Sequence, residues 1–286
     1  MGFLYLILSV FCSLIIVHLL KVVRHRGAQM LQVLTVNYLV ATIIAIATGA
    51  GHLSIDKIPV WLILLTAFAG ALFIINFLVY GNSVNINGVG VSVTAMRLSL
   101  IIPVLTSIIG YHEPLNVPII LGLTGVFVAL YLLSRKGEDR KPREWHPILL
   151  VILFLGTGFT DAALKIFREN GAEFINQDLF MAGIFGTAFL IGVTGIIMRG
   201  KYRLQPKEIG LGILIGIPNL YSSIFTIMAL KYIGGAVAFS MVNILIVTGG
   251  TVLGYAYWHD KLSRKQLTGI FLGIIAIVLM IAGRQM

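Results

Sequence analysis

The chain has 286 residues, of which 58% are hydrophobic and only 11% charged, and its mean hydropathy is +0.98. This composition excludes a soluble globular domain and implies a membrane protein. A formal charge of +10 would suggest nucleic acid in a soluble chain, but here the basic residues gather at the ends of apolar runs, the pattern of orientation signals.

Ten apolar runs of about spanning length follow in order: Phe3–Leu20, Leu31–Ala50, Ile58–Tyr80, Val89–Ile109, Val117–Leu133, Ile148–Phe167, Leu179–Met198, Ile209–Leu230, Ala236–Tyr257 and Leu267–Ala282. The fifth and tenth are short for a membrane helix of about 20 residues, but polar flanks on both sides mark them as spans. The first is followed by Lys21 and Arg24 in place of a small-residue cleavage site, so it reads as a retained helix. The longest connection, Ser134 to Pro147, is too small to fold by itself, which argues against a soluble catalytic module. Cys12, the single cysteine, lies inside the first run and reads as a small core residue.

The chain is written twice. Residues 20–28 read LKVVRHRGA and residues 164–172 read LKIFRENGA, an offset of 144. His112-Glu113-Pro114-Leu115 with Gly122, and His259-Asp260-Lys261-Leu262 with Gly269, match at an offset of 147. Two ordered matches at nearly one offset predict a tandem repeat, with residues 1–134 as the first five-helix copy, 135–147 as a short basic linker and 148–286 as the second copy. Five spans per copy is odd, so the second copy enters the membrane from the opposite side, an arrangement on which many secondary transporters are built. The fold class expected is all-α integral membrane, with ten transmembrane helices as two inverted five-helix repeats. The loops after runs one, three, five, seven and nine hold 3, 0, 5, 4 and 3 of the 21 Lys and Arg residues, which by the positive-inside rule places both termini outside the cytoplasm.

These features resemble the drug/metabolite transporter superfamily, specifically its EamA-like branch. The resemblance is carried by Gly110-Tyr111-His112-Glu113-Pro114-Leu115 with Gly122 and Gly125, and by Tyr257-Trp258-His259-Asp260-Lys261-Leu262 with Gly269 and Gly273. It implies a multi-pass transporter of the bacterial inner membrane, with export as the usual direction, and it implies cytoplasmic termini, against the charge count. Asp260 departs from the usual glutamate of that turn, and the first run lacks the membrane glutamate of the small multidrug relatives, which argues against a cationic-drug antiporter of their type.

Polar residues inside the runs are the candidates for chemistry. Arg97 lies near the middle of the fourth, where an arginine costs about 2.5–3.5 kcal/mol, so it should face protein, water or an anionic ligand. Its guanidinium can hold a carboxylate or phosphate through paired hydrogen bonds; the bland alternative is a structural arginine bound to helix carbonyls. Asp161 and Lys165 are four apart on the sixth run, in the favourable order for a helical ion pair. Asp161 is therefore either neutralised locally or a proton-coupling candidate, and His18, at the matching depth of the first run, is a second. Asn37, Asn76, Tyr80, Asn219 and Asn243 are neutral hydrogen-bonding groups that either line a cavity or serve helix packing. Pro103 and Pro218 each free a backbone carbonyl. Glu113 and Asp260 read as turn or cap residues. Neither a Walker sequence nor a metal-ligand cluster nor a nucleophile–base pair is visible, and no cofactor is called for.

The sequence thus predicts a secondary transporter, not an enzyme, moving small polar metabolites such as amino acids by alternating access. Arg97 is expected to bind the substrate's carboxylate or other anionic group, with Asn37, Asn76, Tyr80, Asn219 and Asn243 shaping selectivity. Alternatives are an exchanger of phosphorylated or nucleotide-linked sugars, which calls for more than one cavity cation, and a membrane scaffold or membrane-embedded enzyme.

Overall fold

A backbone in hydrocarbon must satisfy its polar groups within itself, and long runs of Leu, Ile, Val, Phe and Ala do so as helices of about 20 residues. The computed structural model describes residues 1–49, 58–134, 146–200, 203–259 and 262–285. Asp260 and most of the basic linker, residues 135–145, lie outside them. The helices are α1 (Gly2–His25), α2 (Met30–Gly49), α3 (Val60–Asn87), α4 (Val89–Leu98), α5 (Ile101–Leu105), α6 (Val117–Ser134), α7 (Pro147–Ile166), α8 (Gln177–Met198), α9 (Pro206–Leu230), α10 (Gly235–Trp258) and α11 (Arg264–Gln285). Among the described residues, 9 helices are long and apolar enough to span a membrane; α6 is apolar but shorter. Exposed Phe11, Ile43, Phe68, Leu190, Phe271 and Val278 present the outward apolar surface that lipid requires.

Two departures from the apolar runs have local causes. Helix α3 continues seven residues past Tyr80 through the polar stretch GNSVNIN, where side chains are paired. Ser83 and Ser92 share a hydrogen bond of 2.7 Å, and Asn87 brackets the start of α7, accepting from the His146 amide at 2.9 Å and donating to its carbonyl at 3.1 Å. The fourth run breaks after Leu98. Pro103 has no N–H to give the Ser99 carbonyl, which accepts instead from Ile102, three residues on, at 2.9 Å. Helix α5 then loosens into a π turn over Thr106–Gly110. Pro218, by contrast, lies within a continuous α9.

The described residues form two compact units, each drawing on both halves of the sequence. The first comprises Met1–Ile75 and Ala163–Lys231; the second comprises Asn76–Ala162 and Tyr232–Met286. In the first, α2 packs antiparallel to α8. A Cβ on Gly49 would touch Leu179, and one on Gly192 would press on Thr35. Helix α9 packs on α1 and α2, with Gly212 and Gly216 against Val36 and the Asn37 carbonyl, over a core that includes Val23, Val33, Leu211 and Ile215.

In the second unit, α6 and α11 cross through reciprocal glycine contacts. Gly122 abuts Ala276 and Met280, and Gly269 abuts Ala129 and Leu133. Early residues of each helix meet late residues of the other, so the pair is antiparallel. Glu113, beyond the π turn, caps α10: its carboxylate accepts from the Gly235 amide at 2.5 Å and the Ala236 amide at 2.9 Å. The residue before it, His112, has φ +51°, and His259 has φ +55°; among the described residues these are the two non-glycine positions with positive φ.

Candidate functional site

The second unit gathers most of the polar membrane residues singled out in the sequence. Arg97 sits at the last turn of α4, just before the break, half-buried. Its Nη1 donates to Asn243 Oδ1 on α10 at 3.0 Å. Asn243 is only 8% exposed, and its amide nitrogen donates back to the Phe239 carbonyl at 3.1 Å, which orients the oxygen toward the guanidinium. The bond uses one of the five N–H donors an arginine carries. Asp161 on α7 and Tyr80 on α3 are both near enough to interact electrostatically with Arg97. Asp161 and Arg97 thus act on each other through their charges, and no ion pair within 4.0 Å joins them among the described residues.

Helix α7 is brought against its neighbours by the sequence Gly156-Thr157-Gly158. A Cβ on Gly156 would fall 2.3 Å from Asn76 Oδ1 on α3, and one on Gly158 would meet Ile102 and the Ser99 carbonyl at the α4–α5 break. Both glycines are therefore close-approach positions, where only hydrogen fits. Asn76 and Tyr80 are one turn apart on α3, and Thr157 and Asp161 one turn apart on α7, so each pair shares a helix face. Asn76, Tyr80, Arg97, Thr157, Asp161 and Asn243 thus belong to one polar cluster built from four helices of one unit. Asn76 is 8% exposed, and its Oδ1 and the Thr157 Oγ1 are buried with no hydrogen-bond partner among the described residues.

Several expectations change here. Lys165, 3% exposed, pairs with Glu169 at 2.6 Å and not with Asp161. Both acids lie four residues away, so spacing alone does not decide. Glu169 is toward the helix end and partly exposed, so the buried Lys165 ammonium extends in that direction to meet a carboxylate that stays hydrated. Arg97 is held partly by the fold: Ile244, 147 residues further on, is fully buried against Gly273, while the adjacent Asn243 supplies the acceptor. Glu113 is a cap, as expected, but of a helix more than a hundred residues away. Thr157 was not singled out in the sequence. Glycine-threonine-glycine reads as packing, and the signal that could have found it is its place one turn before a membrane aspartate.

The other candidates belong to the first unit. Asn219 donates to Asn37 Oδ1 at 3.1 Å, and Asn37 is fully buried. Beside them Ser9 bonds to the Ser222 carbonyl and to Thr226, so this face of α9 is engaged in packing α1 and α2. His18 is half-buried on α1. An open pocket in this unit, lined by Trp61, Ile166, Asn170, Glu173 and Phe174, contains none of the candidate residues.

No family model matches the chain. A Haemophilus influenzae protein described as uncharacterized is 26% identical over 286 residues, covering 95% of each chain. A Staphylococcus epidermidis protein named "Probable glucose uptake protein GlcU" is 24% identical over 244 residues, 81% of this chain and 80% of its own. A Staphylococcus aureus protein of the same name is 25% identical over 166 residues, 57% of this chain and 54% of its own. A solved crystal structure superposes over 97% of both chains with a TM-score of 0.71 at 14% identity, a likeness of fold alone. With its membrane helices and these relatives, the chain is a multi-pass protein of the bacterial cell membrane, homologous to proteins named for glucose uptake, and it points to a transporter rather than an enzyme.

Proposed function

We propose that this chain is a secondary transporter of the EamA-like type that carries a neutral monosaccharide by alternating access, with its site in the polar cluster around Arg97. One observation carries this reading: Arg97 is accompanied by Asp161, Asn243 and Tyr80 on four membrane helices of one unit. An isolated arginine selects anions. An arginine with a carboxylate in range offers donors and acceptors without net charge, which suits a ligand whose hydroxyls both give and accept hydrogen bonds. The names of the relatives favour a sugar, and uptake over export.

The inverted repeat is part of the proposal. His112 and His259, 147 residues apart, share an uncommon backbone conformation. The contacts of Gly122 with Ala276 and Met280 return, shifted by 147, as those of Gly269 with Ala129 and Leu133. Such reciprocity is what a two-fold relation produces, and its antiparallel sense favours an axis in the membrane plane over one along the normal. In this reading the repeats interleave, which accounts for units that draw on both sequence halves.

A second reading is a zwitterionic amino acid, its carboxylate on Arg97 and its ammonium on Asp161, favoured by the same charge pair. Sugar phosphates fit less well, because Arg97 is balanced by Asp161 and Lys165 by Glu169, leaving no surplus cation in either pair. Asp161 remains the residue proposed for proton coupling. Asn37 and Asn219 serve helix packing in their own unit. The test is counterflow into proteoliposomes with a panel of labelled D-glucose, amino acids and hexose phosphates. Saturable glucose counterflow is expected. An amino acid alone would select the second reading, and a hexose phosphate alone would reject both.

A further inference from the structure

Threonines inside helices have an easy partner, the carbonyl four residues earlier. Thr160 on α7 donates to Gly156 at 2.7 Å, and Thr66, Thr106, Thr226 and Thr251 do the same in their own helices at 2.6 to 2.9 Å. Thr157, on the same helix as Thr160, does not. Its hydroxyl is buried and unpartnered among the described residues, and so is the side-chain oxygen of Asn76. Burying such groups without partners carries a penalty, so a pair of them marks a place where a partner arrives.

The two groups are held at one level of the unit. Gly156, adjacent to Thr157, lies against the Asn76 amide; Gly158, on its other side, lies against the Ser99 carbonyl, two residues from Arg97. Thr157 is therefore at the junction of α7 with both α3 and α4. Asp161 lies one turn after Thr157 on the same helix, within electrostatic range of Arg97.

We infer that Asn76 and Thr157 form a hydroxyl-binding subsite, Thr157 being a specificity-determining residue that engages one hydroxyl of the transported ligand. The unpartnered Asn76 oxygen accepts, and the Thr157 hydroxyl both gives and accepts, so a ligand hydroxyl can donate to the one while exchanging a hydrogen bond with the other, whereas a carboxylate has no proton for the Asn76 oxygen. The subsite rests on the monosaccharide reading above and makes it sharper, because it assigns recognition of one hydroxyl to a neutral pair apart from Arg97.

The experiment compares counterflow of D-glucose and its monodeoxy analogues in wild-type, Thr157→Val and Thr157→Ser proteoliposomes, alongside thermal unfolding of each purified protein without sugar. In the wild type, at least one analogue should show a KM raised on the order of tenfold, the loss of one neutral hydrogen bond. Thr157→Val, which keeps shape and removes the hydroxyl, should raise the glucose KM by about the same factor, erase discrimination against that analogue, and melt no lower than wild type. Thr157→Ser should restore discrimination. Wild-type counterflow that treats every analogue as glucose, or a valine variant with unchanged KM and analogue profile, overturns the subsite and leaves a trapped water as the partner. Absence of saturable glucose counterflow in the wild type overturns the monosaccharide reading itself and is thereby told apart. Should the valine variant fail to fold, Thr157→Ala takes its place with the same expected rise in glucose KM and loss of discrimination, and an unchanged analogue profile in it overturns the subsite.

Discussion

Replacing Asn243 by leucine removes the acceptor that Arg97 uses while keeping a side chain of similar size in a nearly closed position. The bond measures 3.0 Å, its donor is charged, and its acceptor is 8% exposed. A hydrogen bond to a charged group contributes about 1.5–3 kcal/mol net. The back-bond from Asn243 to the Phe239 carbonyl adds little, because that carbonyl keeps its main-chain partner. A loss of about 2 kcal/mol corresponds to roughly a thirtyfold change in an equilibrium, and to a fall in melting temperature of about 4–8 °C at the upper end of single-domain sizes. Thermal unfolding in detergent, followed by tryptophan fluorescence, reads the second quantity, and the substrate KM in proteoliposomes reads the first if Asn243 holds Arg97 in its binding pose. Asn243→Asp, which restores an acceptor, should recover most of the melting temperature. A leucine variant that melts and transports like the wild type would refute the idea that α10 positions Arg97.

If Asp161 couples transport to protons, Asp161→Asn should abolish the response of uptake to an imposed pH gradient while counterflow persists; an unchanged gradient response rules it out. Gly122→Val and Gly269→Val should each destabilise by about 1–3 kcal/mol, since their first added carbon lies within 2.9 Å of facing side chains and close to backbone carbonyls. Reciprocal geometry predicts similar falls in melting temperature for the two, and a large effect at one with none at the other contradicts it. Glu113→Ala should cost about 1–2 kcal/mol through loss of the α10 cap, with Glu113→Gln falling between it and wild type in thermal unfolding.

Hydropathy made the spans legible, because lipid imposes one dominant constraint on composition. It placed boundaries less well where polar side chains pair with one another. The last turns of α3 are polar and still helical because Ser83 and Asn87 find partners on α4 and at the start of α7. Arg97 was visible through the cost of its position. Its surroundings were not, since Asn243 and Asp161 come from runs distant in sequence. Asp161 was matched to Lys165 because neighbours on one helix can be seen in a sequence and neighbours across helices cannot. The tie between Lys165 and Glu169 depends on depth, which spacing does not carry. Asn37 and Asn219, read as cavity candidates alongside Asn76, bond to each other in the other unit. Asn37 keeps its amide nitrogen buried without a partner among the described residues, as Asn76 keeps its oxygen, and nothing in the sequence tells which asparagine finds a mate.

The central claim, that Arg97 and its companions bind a neutral sugar for transport, meets its most direct test in labelled D-glucose counterflow by proteoliposomes of wild type and Arg97→Ala matched for folded protein. The account predicts saturable counterflow in the wild type, a weaker signal in Arg97→Lys, and near-complete loss in the alanine variant. Wild-type counterflow in the Arg97→Ala protein would contradict it.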